Sequence, residues 1–236
     1  QWDAQFVHPV REALIVASDE WRSTDEAVQA IAYSYGDAFA RVIYTESHDE
    51  VANGKARVPQ EIDPGDPTGY YAQKRSTLGA GLVFTSPGIP MIFQGQEFLE
   101  GGWFSDDVPV TWAQDKEFRG IVRLYRDMIG LRLNRGGRTA GLTGQGLRII
   151  HNNDQVNLIA FQRWRDHGVN DDVVVIANLS AAPLSNYRIG FPSAGSWQLM
   201  LDSDFALYSP QFNGSDSRDI EASDDDYDGM SASADI

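Results

Sequence analysis

The chain has no cysteine in its 236 residues, which excludes disulfides, thiolate catalysis and Cys-based zinc sites and gives no pointer to an oxidising compartment. Positive charge is also scarce. Nineteen Lys and Arg stand against 34 Asp and Glu, a net charge of −15, and this disfavours nucleic acid and anionic membrane surfaces as partners, because both need cationic side chains facing them. No apolar run approaches the roughly 20 residues that span a bilayer, and there is no internal repeat. What is present is globular composition: 42% hydrophobic and 11% aromatic residues can fill a core. The length suits one large domain or two small ones. A neutral polymer such as a polysaccharide is compatible with the acidity, which does not itself argue for one.

The densest group of ionisable residues is Glu46, His48, Asp49 and Glu50, within Tyr44-Thr-Glu-Ser-His-Asp-Glu-Val-Ala-Asn-Gly-Lys55. The preceding residues 40–45 are short, β-branched and apolar on both alternating faces, as a strand buried on both sides of a parallel sheet must be. The polar cluster then sits where that strand ends, the end at which α/β folds build their sites.

Along the chain, Pro9 suits the first turn of a helix whose buried stripe is Val10, Ala13, Leu14 and Ala17. Ser23 to Glu26 has capping-box spacing for a second helix with Val28, Ile31, Ala32 and Tyr35 inward and Gly36 as its stop. Residues 56–69 hold three Pro and two Gly and read as a long loop without regular structure. A helix over 70–83 with Tyr70, Lys74, Thr77, Leu78 and Gly81 on one face leads to a buried strand over 89–94. Residues 115–134 carry a five-turn helical stripe, and Gly136-Gly137 marks a boundary. Beyond it, short strands over 147–150, 156–164, 173–179, 187–191 and 197–201, with a turn at Asn152-Asn153-Asp154, predict an antiparallel β-sandwich. The segment 215–236 is rich in Asp and Ser and lacks an apolar closing strand, so the β-domain reads as truncated. Asp224, Asp225, Asp226 and Asp228 fit a solvated turn; they also offer oxygen ligands for calcium, without EF-hand spacing.

The string SHDEVANGK, followed by PGIPMIFQGQEF at 87–98 and a Trp-Phe-x-Asp segment, resembles the last third of enzymes of the α-amylase family, with glucan branching the most similar activity. The resemblance is strong over about 40–112 and looser after about 140. It implies the C-terminal third of a (β/α)8 TIM barrel over 1–135, followed by an antiparallel β-sandwich domain over 136–236. Trp2 to Phe6 resembles the segment near the sixth barrel strand. The family's nucleophile Asp and general-acid Glu would then lie before residue 1, and a chain starting inside a domain would show no signal peptide. The partner implied is an α-glucan of the starch or glycogen kind, the reaction retaining transfer, the location cytoplasmic; no cofactor and no metal are implied. An α-glucan hydrolase would use the same groups. A barrel relative serving only as a binding subunit is the rival of another class.

The resemblance makes Asp49 the carboxylate that stabilises the oxocarbenium-like transition state and His48 a hydrogen-bond donor to the sugar. Glu46, His48 and Asp49 are also metal-ligand types, but neighbours on a strand point to opposite faces. Glu46 and Glu50 fit bonding to loop amides or Lys55 better than direct catalysis. Asn53 and Lys55 either contact glucan or are solvated. Gln96 and Glu97 follow the next strand and read as braces of the site more than as substrate contacts. Trp103 and Phe104 follow two glycines, so their rings either stack on sugar faces or lie buried under the loop.

Overall fold

The computed structural model describes residues 1–52, 54–167, 171–213 and 217–236. The first half is helical around a short parallel sheet. Asp3 caps α1 (Ala4–Ile15), its carboxylate accepting from the Gln5 amide. Pro9 therefore sits mid-helix instead of in the first turn, and Ala17 falls outside the helix and is exposed. Ser23 caps α2 (Thr24–Ala32) through the Glu26 amide, as the spacing predicts. The buried stripe of α2 is Thr24, Ala27, Ala30 and Ile31; Ala32 and Tyr35 are exposed, and Gly36, with φ +85°, lies beyond the end of the helix.

Only Val42–Ile43 of the strand predicted over 40–45 forms ladder pairs, as β1, and only Ile89–Pro90 of the second, as β2. The two are parallel, and Trp2 bridges Val42 on the other side of β1. The outer edge of β2 has no partner strand among the described residues, which leaves Ile89 exposed where burial was expected. No closed barrel is visible in these residues. Between the strands, the supposedly irregular 56–69 contains a one-turn helix, α3 (Val58–Ile62), because Pro59 occupies the first turn, where no amide donor is needed. The longer α4 (Tyr70–Thr85) buries most of its circumference rather than one stripe, and Tyr70 is exposed. Gly79 permits the contact of α4 with α1: a Cβ there would lie 2.5 Å from Leu14 Cδ1. The helix expected over 115–134 is broken at Phe118 into α5 (Gln114–Glu117) and α6 (Arg119–Arg132).

Buried arginines tie the helix C-termini together. Arg41, fully buried, donates to Ala30 O and Ile31 O at the end of α2, to Pro87 O and to the buried Asp3. Arg22 reaches Ala13 O and Val16 O at the end of α1, and Arg132 reaches Phe84 O and Ser86 O at the end of α4. Each cation meets carbonyls that have no partner within their own helix and that lie at the negative end of its dipole.

The second half is antiparallel. The strands β3 (Gly146–Asn153), β4 (Leu158–Trp164) and β5 (Val173–Asn178) form one sheet with a bulge between Ile149 and His151. Alternation along β4 sorts its residues: Ile159 and Phe161 pack with Phe6, Leu14 and Ile31 of the helical half, while Leu158 and Ala160 face the other way. That second face is covered by β6 (Arg188–Phe191), β7 (Gly195–Trp197), β8 (Ile220–Ala222) and β9 (Ala232–Asp235), whose Ile189, Phe191, Ala222 and Ala232 complete the core. The expected lack of a closing strand is overturned. β9 pairs with β6 and β8 with β7, but Ala-Ser-Ala-Asp carries too little apolar signal to be read as a strand. The acidic run is used in part: Asp228 accepts from Gly190 N and contacts His151 Nδ1 at 3.0 Å, and Asp225 pairs with Arg188. Between β7 and β8 the chain returns to the helices, where Tyr208 donates to Asp127 and Ser209 to Gln73. No helix among the described residues is long and apolar enough to cross a membrane.

Candidate active site

Because β1 and β2 are parallel, the loops that follow them lie at one end of the sheet, and a hydrogen bond joins them. Gln96 Nε2 donates to Thr45 Oγ1 at 2.6 Å while Gln96 Oε1 accepts from Phe93 N at 3.2 Å. Both polar atoms of the Gln96 amide are thus engaged inside the protein. The turn that places it needs Gly95, at φ +86°, where a Cβ would come within 2.8 Å of Glu100 Cβ.

After Ile43 the chain leaves the ladder but stays buried through Ser47. Ser47 then forms a turn: its carbonyl accepts from Glu50 N and Val51 N, and its hydroxyl also accepts from Glu50 N. His48 and Asp49 occupy the tip, with side chains 55% and 73% exposed and His48 Nε2 lying 3.3 Å from Asp49 Oδ1. The ring of Trp2 meets that of His48 edge-on at 5.6 Å. Two polar side chains are therefore presented to solvent on a rigid base.

That base is the Glu46–Arg57 pair. Glu46 is fully buried; its Oε1 accepts from Val58 N at 2.7 Å and its Oε2 lies 3.3 Å from Arg57 Nη1. Arg57 also donates to Gln94 O at 2.9 Å and lies over the Phe93 ring at 4.9 Å. The pair thereby clamps the loop after β1 to the loop after β2. Burial pushes the Glu46 carboxyl above its ordinary range against the pull of Arg57 and the Val58 amide. With both oxygens engaged and no exposure, Glu46 holds the loop and is closed to solvent.

Glu50 Oε2 lies 3.6 Å from Lys55 Nζ and 3.8 Å from His8 Nδ1, and Lys55 is half exposed. Asn53 lies outside the described residues. Glu97 lines a pocket of about 300 Å³ with Ile92, Val122 and Tyr125, its Oε2 buried without a hydrogen-bond partner. The glycine loop is tied to the site as well: Arg57 N donates to Gly102 O and Phe104 N to Val51 O, which divides the two aromatic residues. Trp103 is 62% exposed, whereas Phe104 packs edge-on against Phe93 at 5.2 Å. No group of three or more His, Asp or Glu among the described residues is arranged to hold a metal ion.

Sequence reasoning missed Arg57, Trp2 and His8. A carboxylate predicted at the end of a buried strand demands a cation, and Arg57 was within reach as well as Lys55. For Trp2 no local signal exists.

Residues 149–236 match the family described as the α-amylase C-terminal all-β domain. The 1,4-alpha-glucan branching enzyme GlgB of Pseudomonas fluorescens (strain Pf0-1) is 32% identical over 183 residues, which is 75% of this chain and 24% of that protein. The enzyme of the same name from Mycobacterium sp. (strain JLS) is 31% identical over 214 residues, 89% of this chain and 27% of its own length. The chain therefore spans about a quarter of the length of these curated relatives. Among solved structures, the pullulanase complexed with maltotetraose from Anoxybacillus sp. LM18-11 superposes with a TM-score of 0.61 at 19% identity, covering 86% of this chain and 32% of that one. At that identity the likeness is one of fold.

Proposed function

Since this chain belongs to the α-amylase family, we propose that it supplies the His48–Asp49 part of the active site of a retaining enzyme that builds branches into an α-glucan. The observation that carries this is the turn at the end of β1, which exposes His48 and Asp49 on a buried Glu46–Arg57 clamp. Cleavage of a glycosidic bond develops positive charge at the anomeric carbon, and the Asp49 carboxylate, presented by this turn, lowers the energy of that state. His48 donates a hydrogen bond to a sugar hydroxyl and so aligns the ring with the carboxylate. In branching, a hydroxyl of an acceptor glucan takes the place of water in the second displacement.

In this reading residues 1–135 are the last third of a (β/α)8 barrel and 136–236 a β-sandwich that packs on it. The unpartnered edge of β2 and the pocket beside Glu97 and Tyr125 are where further barrel strands sit. The nucleophile and the general acid come from those parts of the polypeptide. Trp103 and Lys55 line the glucan path, with Glu50 holding Lys55 in place. Gln96 acts from beneath as a brace, and Glu97 lies in the pocket beside α6.

The test is an assay of the full-length enzyme that contains this chain on amylose, following α-1,6 linkages by proton NMR beside reducing ends. New α-1,6 linkages at several times the rate of new reducing ends are expected. Reducing ends without α-1,6 linkages would replace branching by hydrolysis, and neither product would remove the enzyme reading.

A further inference from the structure

We propose that Trp2 is a positioning residue of the active site, its indole ring holding the imidazole of His48 at the angle from which it meets the sugar. This rests on the reading above that His48 donates to a substrate hydroxyl. At the tip of its turn His48 is more than half exposed, and something must fix its ring. Asp49 Oδ1 lies 3.3 Å from Nε2, but Asp49 belongs to the same turn and its side chain is 73% exposed, so it cannot fix the ring relative to the sheet. The Trp2 ring comes from outside the turn, with its centroid 5.6 Å away and the two planes at 74°.

Trp2 can serve as the fixed point because the chain on either side of it is pinned. Val42 N donates to Gln1 O at 2.7 Å and Asp3 N to Val42 O at 3.0 Å, which seats Trp2 beside β1. Asp3 is fully buried, caps α1 and is paired with the fully buried Arg41. The indole extends along the strand toward the turn and meets the ring of Tyr44 as well, at 5.8 Å and 67°. Tyr44 is buried in the segment that feeds the turn. One rigid ring thus touches both the root of the turn and the side chain at its tip. Centroids roughly 4.5–7 Å apart in an edge-to-face arrangement bring the positive rim of one ring to the negative face of the other, so the contact sets the angle of the imidazole and not only its distance.

Core packing does not account for this ring. Trp2 is 47% exposed and belongs to none of the three apolar cores among the described residues, whereas its neighbour Asp3 has no exposure. A large ring kept half in water, on a backbone locked by a buried ion pair, orients what stands beside it at the surface. Without it the imidazole turns freely and must be ordered in each catalytic cycle, which costs alignment of the reacting sugar more than the hold on the polymer.

The experiment measures kcat and KM on amylose for the full-length enzyme containing this chain, as Trp2→Ala, Trp2→Leu, Trp2→Phe, His48→Ala and the double variant Trp2→Ala/His48→Ala, each with circular dichroism and a melting temperature. Trp2→Ala and Trp2→Leu are expected to lower kcat roughly tenfold with KM changed less than about threefold. The leucine variant keeps apolar bulk against Tyr44 and serves if the alanine variant does not fold. Trp2→Phe, which keeps an aromatic ring, should stay within about threefold of wild type. The double variant should lose no more than His48→Ala alone, since a residue acting through His48 then has nothing left to position; a Trp2 that is merely structural, or that touches the sugar itself, adds its own loss. Additive losses, or Trp2→Ala and Trp2→Leu enzymes as active as wild type beside an impaired His48→Ala, would overturn this inference alone. A His48→Ala enzyme as active as wild type would overturn the reading of His48 with it.

Discussion

Replacing Glu46 by Gln should cost the protein about 3–5 kcal/mol, because it removes one partner of a buried ion pair and leaves the other charged. The side chain has no solvent exposure, and its Oε1 can still accept from Val58 N after the substitution, so the loss falls on Arg57. Arg57 is itself 2% exposed, its Nε has no hydrogen-bond partner among the described residues, and without Glu46 its guanidinium keeps, among them, Gln94 O and the face of Phe93. For a chain of this size each kcal/mol shifts the melting temperature by about 2–4 °C, so a drop of about 6–20 °C is expected by calorimetry at pH 7.5. The double variant Glu46→Gln/Arg57→Met should recover most of the loss, since it removes both buried charges at once. A single variant melting within about 2 °C of wild type, or a double variant as unstable as the sum of the singles, would refute the clamp.

Arg41→Met strands the buried Asp3 and the carbonyls of Ala30, Ile31 and Pro87, and should cost about 3–5 kcal/mol by urea denaturation; a loss below about 1 kcal/mol would show those carbonyls to be satisfied without it. Phe161→Ala opens a cavity between β4 and the helical layer and should cost about 3–5 kcal/mol in the same assay, with helix and sheet signals lost together. Separate transitions for the two halves would show that this core does not couple them.

What could be read from the sequence was whatever is local. Ser23 and Glu26 specify a helix start by their spacing alone, and the alternation of β4 survives because each of its faces meets a different core. The strings around His48 and Gln96 mark loops at one end of the sheet, and Gln96 bonding to Thr45 joins them. What could not be read depends on partners distant in sequence. Arg41 and Arg132 look like surface cations until the carbonyls they reach are known, and each is buried. Ala232 to Asp235 is a strand only because β6 is there to pair with it. Conversely, residues 40–45 and 89–94 read as full buried strands, yet only two residues of each lie in the ladder, because β2 has a neighbour on one side alone. The candidate site followed the same rule: charge density singled out the stretch, but assigning Glu46 to the base and His48 and Asp49 to the surface required the turn at Ser47 and the cation at Arg57.

In the proposed function the role of Asp49 rests on charge. In the full-length enzyme containing this chain, Asp49→Asn keeps shape and the exposed turn while removing the negative charge, so kcat on amylose should fall at least about 100-fold with an unchanged melting temperature. A correctly folded Asp49→Asn enzyme that turns over amylose within a few-fold of wild type would contradict the assignment of the site.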